Sequence, residues 1–376
     1  MRRKNHQIKR KTLSLDSFPR DFVFEILRRL PAKSVATFLL VSKTWEAIIR
    51  RHYFIRAFPF RSSPSCLLIA CNRKDYQNEC RNWFFMSSTK TTQTVPDLIS
   101  RTSHVLESGF NYNTHCYVHG LMFSAYRKTR VITNPSTGKS ITLPTLISRR
   151  EVKKSFFGYD PVHGQHKILC ISKPMYGSGT RIAPSDHRVL TLGSSSIWRN
   201  IEFSYPHDHI SNGLCINGVL YYFAYMGENE MDQLCLMTFE VKSENLRAHT
   251  ITMPPGVNLG WVNLVHYMGK VAIPMPTRDC KFNLWVLEDS KKWSKICLSI
   301  CPWDSMRRRT RVISVAHTGE IIMALYNKNE GCLHVVYYDH KKDTQRKVEI
   351  QCNLNNVGVS GTPLCFVDHI ESVRLL

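Results

Sequence analysis

The chain has 376 residues, with 51 Lys and Arg against 29 Asp and Glu, which gives a net charge of +22 when His is neutral. Hydrophobic residues make up 43% and charged residues 21%, ordinary values for a folded chain that exclude disorder over most of its length. The apolar runs are too short to span a bilayer, and none follows the basic first residues, so we expect neither a membrane segment nor a secretory signal. Without a secretory route, the 13 cysteines are expected to be reduced, in the nucleus or the cytoplasm.

Residues 1–12 form a basic tail ahead of the first apolar pattern. The charges of this tail are Arg2, Arg3, Lys4, Lys9, Arg10 and Lys11. Such a cluster is typical of a nuclear-import signal or a nucleic-acid contact, and a positive field also attracts acidic proteins. We expect a disordered, solvated arm here, with a nuclear-import signal or a nucleic-acid contact as the alternative.

The first predicted element is an amphipathic helix. Asp16 or Ser17 can cap it, and Pro19 is tolerated in a first turn because the N–H that proline lacks has no helical partner there. Pro31 ends the helix at Leu30, since the residue before a proline is pushed out of the helical region. One apolar stripe at helical spacing contains Phe22, Val23, Ile26, Leu27 and Leu30.

Two shorter helices are predicted next. An apolar turn contains Val35 and Phe38, and Ser42 can cap a third helix that carries Trp45 and Ile48. Three short helices in some 40 residues bury too little surface to be stable alone. The stripe of the first helix therefore needs a partner, either the rest of this chain or another protein.

This helical segment, residues 13–54, resembles an F-box. The matching elements are, in chain order, Phe18-Pro19, a helix that contains Ile26-Leu27 and ends in Leu30-Pro31, the Lys33-Ser34 turn, and Val41-Ser42-Lys43 before Trp45. Two positions depart from the family pattern: Phe18 replaces the usual Leu, and Leu39-Leu40 stands where Arg and Cys are common. Both departures keep the segment apolar.

The resemblance implies a docking module for the SKP-family adaptor of SCF ubiquitin ligases, and through that adaptor for a cullin. An amphipathic head suits an apolar groove, and a basic chain suits an acidic partner. The alternative for each implied contact is that its side chain only packs the helices together. Carried over by position, the contacts are Pro19, Ile26, Leu27, Leu30, Pro31, Val35, Val41 and Trp45.

After a predicted linker, residues 55–64, the pattern changes to short β-rich runs over residues 65–376. Paired strand–turn–strand segments recur about every 50 residues, which is typical of kelch-like propeller blades. We predict about six blades, with a strand at 364–367 that closes the ring by pairing with the first blade. The paired segments are residues 131–143, 189–201, 234–251, 284–296 and 335–350.

Several motifs of this body also resemble the F-box-associated domain of plant F-box proteins. They are Gly120-Leu121, the turn Asn134-Pro135-Ser136-Thr137-Gly138, Gly158-Tyr159-Asp160-Pro161, Asn217-Gly218 and Leu284-Trp285 ahead of Trp293. The resemblance implies a domain that binds a target protein, and a plant source.

The sequence contains no complete motif for catalysis, for cofactor binding or for metal binding. The segment Thr137-Gly138-Lys139-Ser140 fails as a phosphate loop, because Thr133 stands where the first glycine is needed and a strand follows in place of a helix. Neighbouring Cys and His residues do not form paired zinc-binding knuckles, and a nucleophile elbow is missing. We therefore predict a protein that is not an enzyme, with no catalytic residue, cofactor or metal site.

These observations predict an α+β multidomain chain, with a small three-helix head and a mostly β, kelch-like propeller. The predicted function is substrate recognition for an SCF-type (cullin-RING) ubiquitin ligase, where the propeller holds an unknown target protein. The alternative is a nucleic-acid-binding or sugar-binding propeller with an incidental helical head. Nucleic acid is the less favoured partner, and a membrane is not expected.

Overall fold

The computed structural model describes seventeen segments of the chain. The basic tail, the predicted caps Asp16 and Ser17, Phe18 and linker residues 60–64 lie outside the described residues. None of the described helices is both long enough and apolar enough to cross a membrane. The segments are residues 19–59, 66–75, 80–89, 96–105, 114–126, 128–148, 150–174, 185–193, 197–203, 205–227, 233–257, 262–277, 282–289, 292–298, 311–327, 330–351 and 363–374.

The head contains four helices, one more than the sequence predicts. They are α1 (Arg20–Leu27), α2 (Ala32–Phe38), α3 (Lys43–Ile49) and α4 (His52–Ala57). Helix α4 extends into the predicted linker and is held by Phe54, which is fully buried and meets Phe24 edge-on at 5.4 Å. Its apolar pattern is too short, and too closely preceded by Arg and His, to be recognised as a helix in the sequence.

The helix ends follow local rules. Ser42 Oγ accepts a hydrogen bond from Thr44 N at 3.1 Å, which confirms the predicted cap of α3. Helix α1 ends at Leu27, three residues earlier than predicted. The residues up to Leu30 continue as a tighter turn, in which Leu30 N donates to Leu27 O at 3.2 Å.

The body is a propeller of six antiparallel sheets, as predicted. The strand order of blade 1 is β25-β1-β2-β3, that of blade 2 is β4-β5-β6-β7, and that of blade 3 is β8-β9-β10-β11. Their strands are β1 (Cys66–Asp75), β2 (Cys80–Thr89), β3 (Asp97–Val105), β4 (Thr114–Val118), β5 (Leu121–Tyr126), β6 (Thr129–Thr133), β7 (Ser140–Thr142), β8 (Glu151–Asp160), β9 (Gln165–Lys173), β10 (Asp186–Thr191), β11 (Arg199–Ile201) and β25 (Leu364–Phe366).

Blades 4 to 6 complete the ring. In blade 4 both β12 and β13 pair with β14, which is followed by β15 and β16; blade 5 is β17-β18-β19-β20 and blade 6 is β21-β22-β23-β24. These strands are β12 (His207–His209), β13 (Leu214–Ile216), β14 (Val219–Met226), β15 (Gln233–Glu240), β16 (Asn245–Thr250), β17 (Val265–Tyr267), β18 (Lys270–Pro276), β19 (Phe282–Asp289), β20 (Lys292–Leu298), β21 (Arg311–Val315), β22 (Ile321–Asn327), β23 (Cys332–Asp339) and β24 (Thr344–Gln351). The predicted strand pairs are the two outermost strands of blades 2 to 6.

Strand β25 closes the ring, as the sequence predicts. It pairs with β1 in antiparallel register, with Leu68 opposite Phe366 and Ala70 opposite Leu364. Because β1, β2 and β3 belong to the start of the body and β25 to its end, blade 1 joins two distant parts of the chain. This pairing removes the free sheet edges that an open ring would expose.

Beyond β25, residues 368–374 form a tie segment that lies across the strand-to-strand turns of several blades. Asn134 Nδ2 of blade 2 donates to the carbonyl oxygens of Ser372 and Arg374, at 2.6 and 2.8 Å. Arg374 Nη2 in turn donates to Gly164 O of blade 3 at 2.7 Å. The tie segment therefore follows a fixed path over one face of the propeller, which we call the head face.

The tie segment also completes the core of the head. Val373 is buried in one apolar cluster with Leu27, Val35, Ile49 and other head residues. The N–H of Ala32, at the start of α2, donates to Glu371 Oε2 at 3.0 Å, a carboxylate at a helix N-terminus. The rest of this chain is thus the partner of Val23, Leu27 and Leu30 of the apolar stripe, whereas Phe22 and Ile26 of the same stripe stay exposed.

A buried polar network joins blades 1 and 2. Trp83 Nε1 donates to the Tyr126 hydroxyl at 2.7 Å, and that oxygen lies 3.1 Å from His104 Nδ1. Since Tyr126 accepts from Trp83, its own proton can point to Nδ1, and His104 Nε2–H can donate to Thr133 Oγ1 at 2.9 Å. Burial lowers the pKa of His104 to about 4, so the ring is neutral at pH 7.

We expect Val373→Asp to open the head, because an unpaired carboxylate in this cluster costs at least about 2 kcal/mol. Limited proteolysis should cut residues 19–59 faster than in the unmodified chain. The matched control is Val162→Asp, since Val162 is an exposed valine of the propeller. Equal resistance of both variants would contradict the role of the tie segment.

The network of His104 predicts a pH dependence. The folded pKa of about 4 lies below the ordinary 6.5, so the unfolded chain binds the proton more tightly. The contribution to stability is fully present above pH 6.5 and is lost as the pH falls toward 4. The measurement is urea unfolding between pH 6 and 4.5, which gives the slope of the unfolding free energy against pH. His104→Gln should reduce this slope by the equivalent of up to about one bound proton. An unchanged slope would contradict the role of His104.

Candidate functional site

Helix α1 has an inward and an outward apolar face. Val23 and Leu27 are buried in the head core, whereas Phe22 and Ile26 are 64% and 49% exposed. Residues four apart on a helix lie on the same face, so Phe22 and Ile26 form an exposed apolar pair. The packing of the head and the tie segment does not cover this pair.

A second exposed apolar pair lies between α2 and α3. Leu40 and Val41 are 90% and 47% exposed, in a turn where Val41 N donates to Phe38 O at 3.2 Å. The body exposes fewer such side chains for its size, because five of the thirteen exposed large hydrophobic residues of the described chain belong to the head. Apolar exposure that is concentrated in this way marks a binding surface.

The eight contact residues that the F-box resemblance implied are of two kinds in the structure, buried and exposed. Leu27, Val35 and Trp45 are buried and build the head core, and Leu30 packs partly against that core. The exposed ones, free to meet a partner, are Pro19, Ile26, Pro31 and Val41. Contact with an adaptor stays a prediction for all eight.

Sequence reasoning did not select Phe22 and Leu40 as contacts, although they are the most exposed of these apolar residues. Phe22 belongs to the predicted stripe, and its i, i+4 spacing to Ile26 is a usable signal. For Leu40 the signal is its departure from the family pattern, since it is an apolar side chain two residues before the predicted cap Ser42.

The head is basic. Residues 19–59 contain eight Lys and Arg and three Asp and Glu. Two of the acidic groups are engaged locally, since Glu25 binds Arg28 at 3.1 Å and Arg29 at 3.3 Å, and Glu46 binds Arg50 at 2.8 Å. The surplus positive charge favours an acidic partner for the exposed apolar residues.

The two faces of the propeller differ in their connections. On the head face the first strand of a blade joins the second through turns as short as residues 119–120, 217–218 and 268–269. On the opposite face, which we call the far face, the second strand of a blade ends and the third begins, and the number of residues between them ranges from two in blade 2 to twelve in blade 3. Long connections on a rigid scaffold are where binding residues concentrate.

The segment that looked like a phosphate loop is a turn with a structural role. Asn134 Oδ1 accepts from Ser136 N at 2.9 Å, while its amide group holds the tie segment. Gly138 has φ +74, and a Cβ there would lie 2.7 Å from Arg101 O, so the turn requires glycine. The turn was predicted correctly, but no pattern in the sequence indicated the hydrogen bonds to residues 372 and 374.

Comparison with known families agrees with both parts of the structure. A model described as "F-box domain" matches residues 15–57, and one described as "F-box associated beta propeller domain" matches residues 66–370. The chain belongs to the plant F-box proteins. Its head is the F-box, and its propeller is the associated domain.

Relatives from Arabidopsis thaliana match nearly the whole F-box protein. F-box protein At4g11590 is 36% identical, over 97% of this chain and 94% of its own length. F-box protein At1g47810 is also 36% identical, over 83% of this chain and 96% of its own length. Among solved structures, a sialidase from Trypanosoma rangeli overlaps 77% of this chain and 60% of its own with a TM-score of 0.39 and 10% identity, which is too distant to bear on function.

The two faces of α1 in the F-box should respond differently to truncation. Leu27→Ala should destabilise the head by about 2–5 kcal/mol, because a fully buried leucine leaves a cavity. Ile26→Ala should stay within about 0.5 kcal/mol, as for other surface positions. Hydrogen exchange of the amides in α3 measures both effects, and similar exchange in the two variants would contradict the division into two faces.

Proposed function

We propose that this F-box protein is the substrate-recognition subunit of an SCF-type (cullin-RING) E3 ubiquitin ligase. The F-box docks on the SKP-family adaptor and thereby joins the cullin, while the propeller binds a target protein. The observation that supports docking is the apolar exposure of the head, in Phe22, Ile26, Leu40 and Val41. The protein forms no covalent bond itself; it raises the local concentration of target lysines near the ubiquitin-charged enzyme.

The free energy of burying apolar side chains favours a protein partner for the exposed apolar residues of the head. Burial of an apolar side chain of this size contributes ~1.5–3 kcal/mol, so Phe22 and Ile26 together can supply a large share of a specific affinity. The positive charge of the head then adds orientation and a faster association with an acidic adaptor.

The target surface belongs to the far face of the propeller. Two features support this: the strand ends of β9 and β10 that twelve residues separate belong to that face, and the head face is partly occupied by the tie segment and the head. Because Val373 is packed into the head core, the head keeps a defined orientation relative to the blades. A bound target would therefore be held at a defined place relative to the cullin, in the nucleus or the cytoplasm.

The test of docking is a binding measurement with a purified SKP-family adaptor. Phe22→Lys combined with Ile26→Lys should weaken binding by at least about a hundredfold, since it removes ~3 kcal/mol or more of apolar burial and adds charge to an apolar contact. The matched control is Ile147→Lys, because Ile147 is an isoleucine of the body that is 88% exposed.

Both variants should melt as the unmodified protein does, because neither changes a core side chain. Leu30 is left intact for the same reason, since it packs against the head core. Unchanged adaptor binding in the double variant, with normal binding in the control, would overturn the proposed docking surface.

A further inference from the structure

The hairpin of β23 and β24 in blade 6 brings together three side chains that are suited to hold a metal ion. His334 lies directly opposite Glu349 in the strand register, and Cys332, two residues before His334, projects from the same side of the sheet. The Cys332 thiol, one imidazole nitrogen and one Glu349 oxygen all lie within 4.8 Å of one another.

The surroundings of these three side chains are typical of a metal site rather than of a fully solvated surface. Cys332 and His334 are buried, while Glu349 is exposed. Further along β23, on the same side, Val336 and Tyr338 pack against the core that blades 5 and 6 share. The side chains of Cys332 and His334 are therefore held at the edge of a packed interface. The Glu349 carboxylate lies between them and the solvent.

The histidine is held between two carboxylates. Its Nδ1 lies 3.5 Å from Glu349 Oε1, and its Nε2 lies 3.3 Å from Glu330 Oε2. A metal-binding histidine commonly donates its second ring N–H to a carboxylate, which fixes the tautomer and the orientation of the ring. Glu330 is placed for that role, which directs the Nδ1 lone pair toward Glu349.

We propose that Cys332, His334 and Glu349 bind a zinc ion. A thiolate, an imidazole and a carboxylate form a donor set that Zn²⁺ accepts at a tetrahedral centre, with water or a further ligand in the fourth position. Mg²⁺ and Ca²⁺ prefer sets made of oxygen alone. The ion would cross-link β23 to β24, and this proposal stands independently of adaptor binding.

Local sequence patterns do not reveal such a site. Cys332 and His334 are two apart, a spacing typical of one face of a strand, and Glu349 reaches them only through the pairing of two strands. A search for paired Cys motifs therefore predicts no metal site.

The experiment is a zinc titration of the reduced full chain against a chromophoric chelator. Cys332→Ser and Glu349→Gln should each weaken zinc binding at this site at least about tenfold, and both should remove the rise in melting temperature that Zn²⁺ gives the unmodified protein. Cys297→Ser, which changes an exposed cysteine of β20, is the matched control and should bind zinc as the unmodified protein does. Glu349 is exposed, so its variant leaves the fold intact.

Cobalt gives a second readout. Co²⁺ in this site should show a thiolate charge-transfer band that Cys332→Ser abolishes and Cys297→Ser retains. If Cys332→Ser and Glu349→Gln bind zinc and cobalt as the control does, the proposed site is wrong and any observed binding belongs to other Cys and His residues of the chain.

Discussion

The pairing of β25 with β1 is the interaction on which the rest of the structure depends. Only three residues of each strand pair directly, yet the contact joins the start of the propeller to its end and turns six sheets into a closed ring. Each blade can then cover its neighbours on both sides. Packing around β25 supports the short pairing, since Cys365 and Val367 lie against the core between blades 1 and 6.

The same pairing determines where the head lies. Strand β25 delivers the chain to the head face, and His369 N donates to Cys66 O at 3.0 Å, beside the start of β1. The head therefore sits where the chain both enters and leaves the ring. Gly164 shows how close the two parts come, because a side chain at this position would meet the Arg56 stem at 3.2 Å.

The sequence could predict those features that depend on local chemistry or on a regular period. The Ser42 cap, the turn that contains Gly138 and the six blades belong to this group, because capping, left-handed backbone and strand repeats leave signatures within a few residues. The inward and outward faces of α1 could not be told apart. Their difference depends on tertiary packing, because Val23 and Leu27 lie in a buried cluster that includes Val373, a residue more than 300 positions away in the sequence.

The tie segment has a consequence for how the protein is made. Val373 follows Phe58 by 315 residues, which a ribosome that adds about 5–20 residues per second needs roughly 15–60 s to synthesise. Throughout that time the head has been translated but lacks a buried part of its core. A chain whose synthesis stops early never receives that part, so translation of the whole propeller becomes a condition for a completed head.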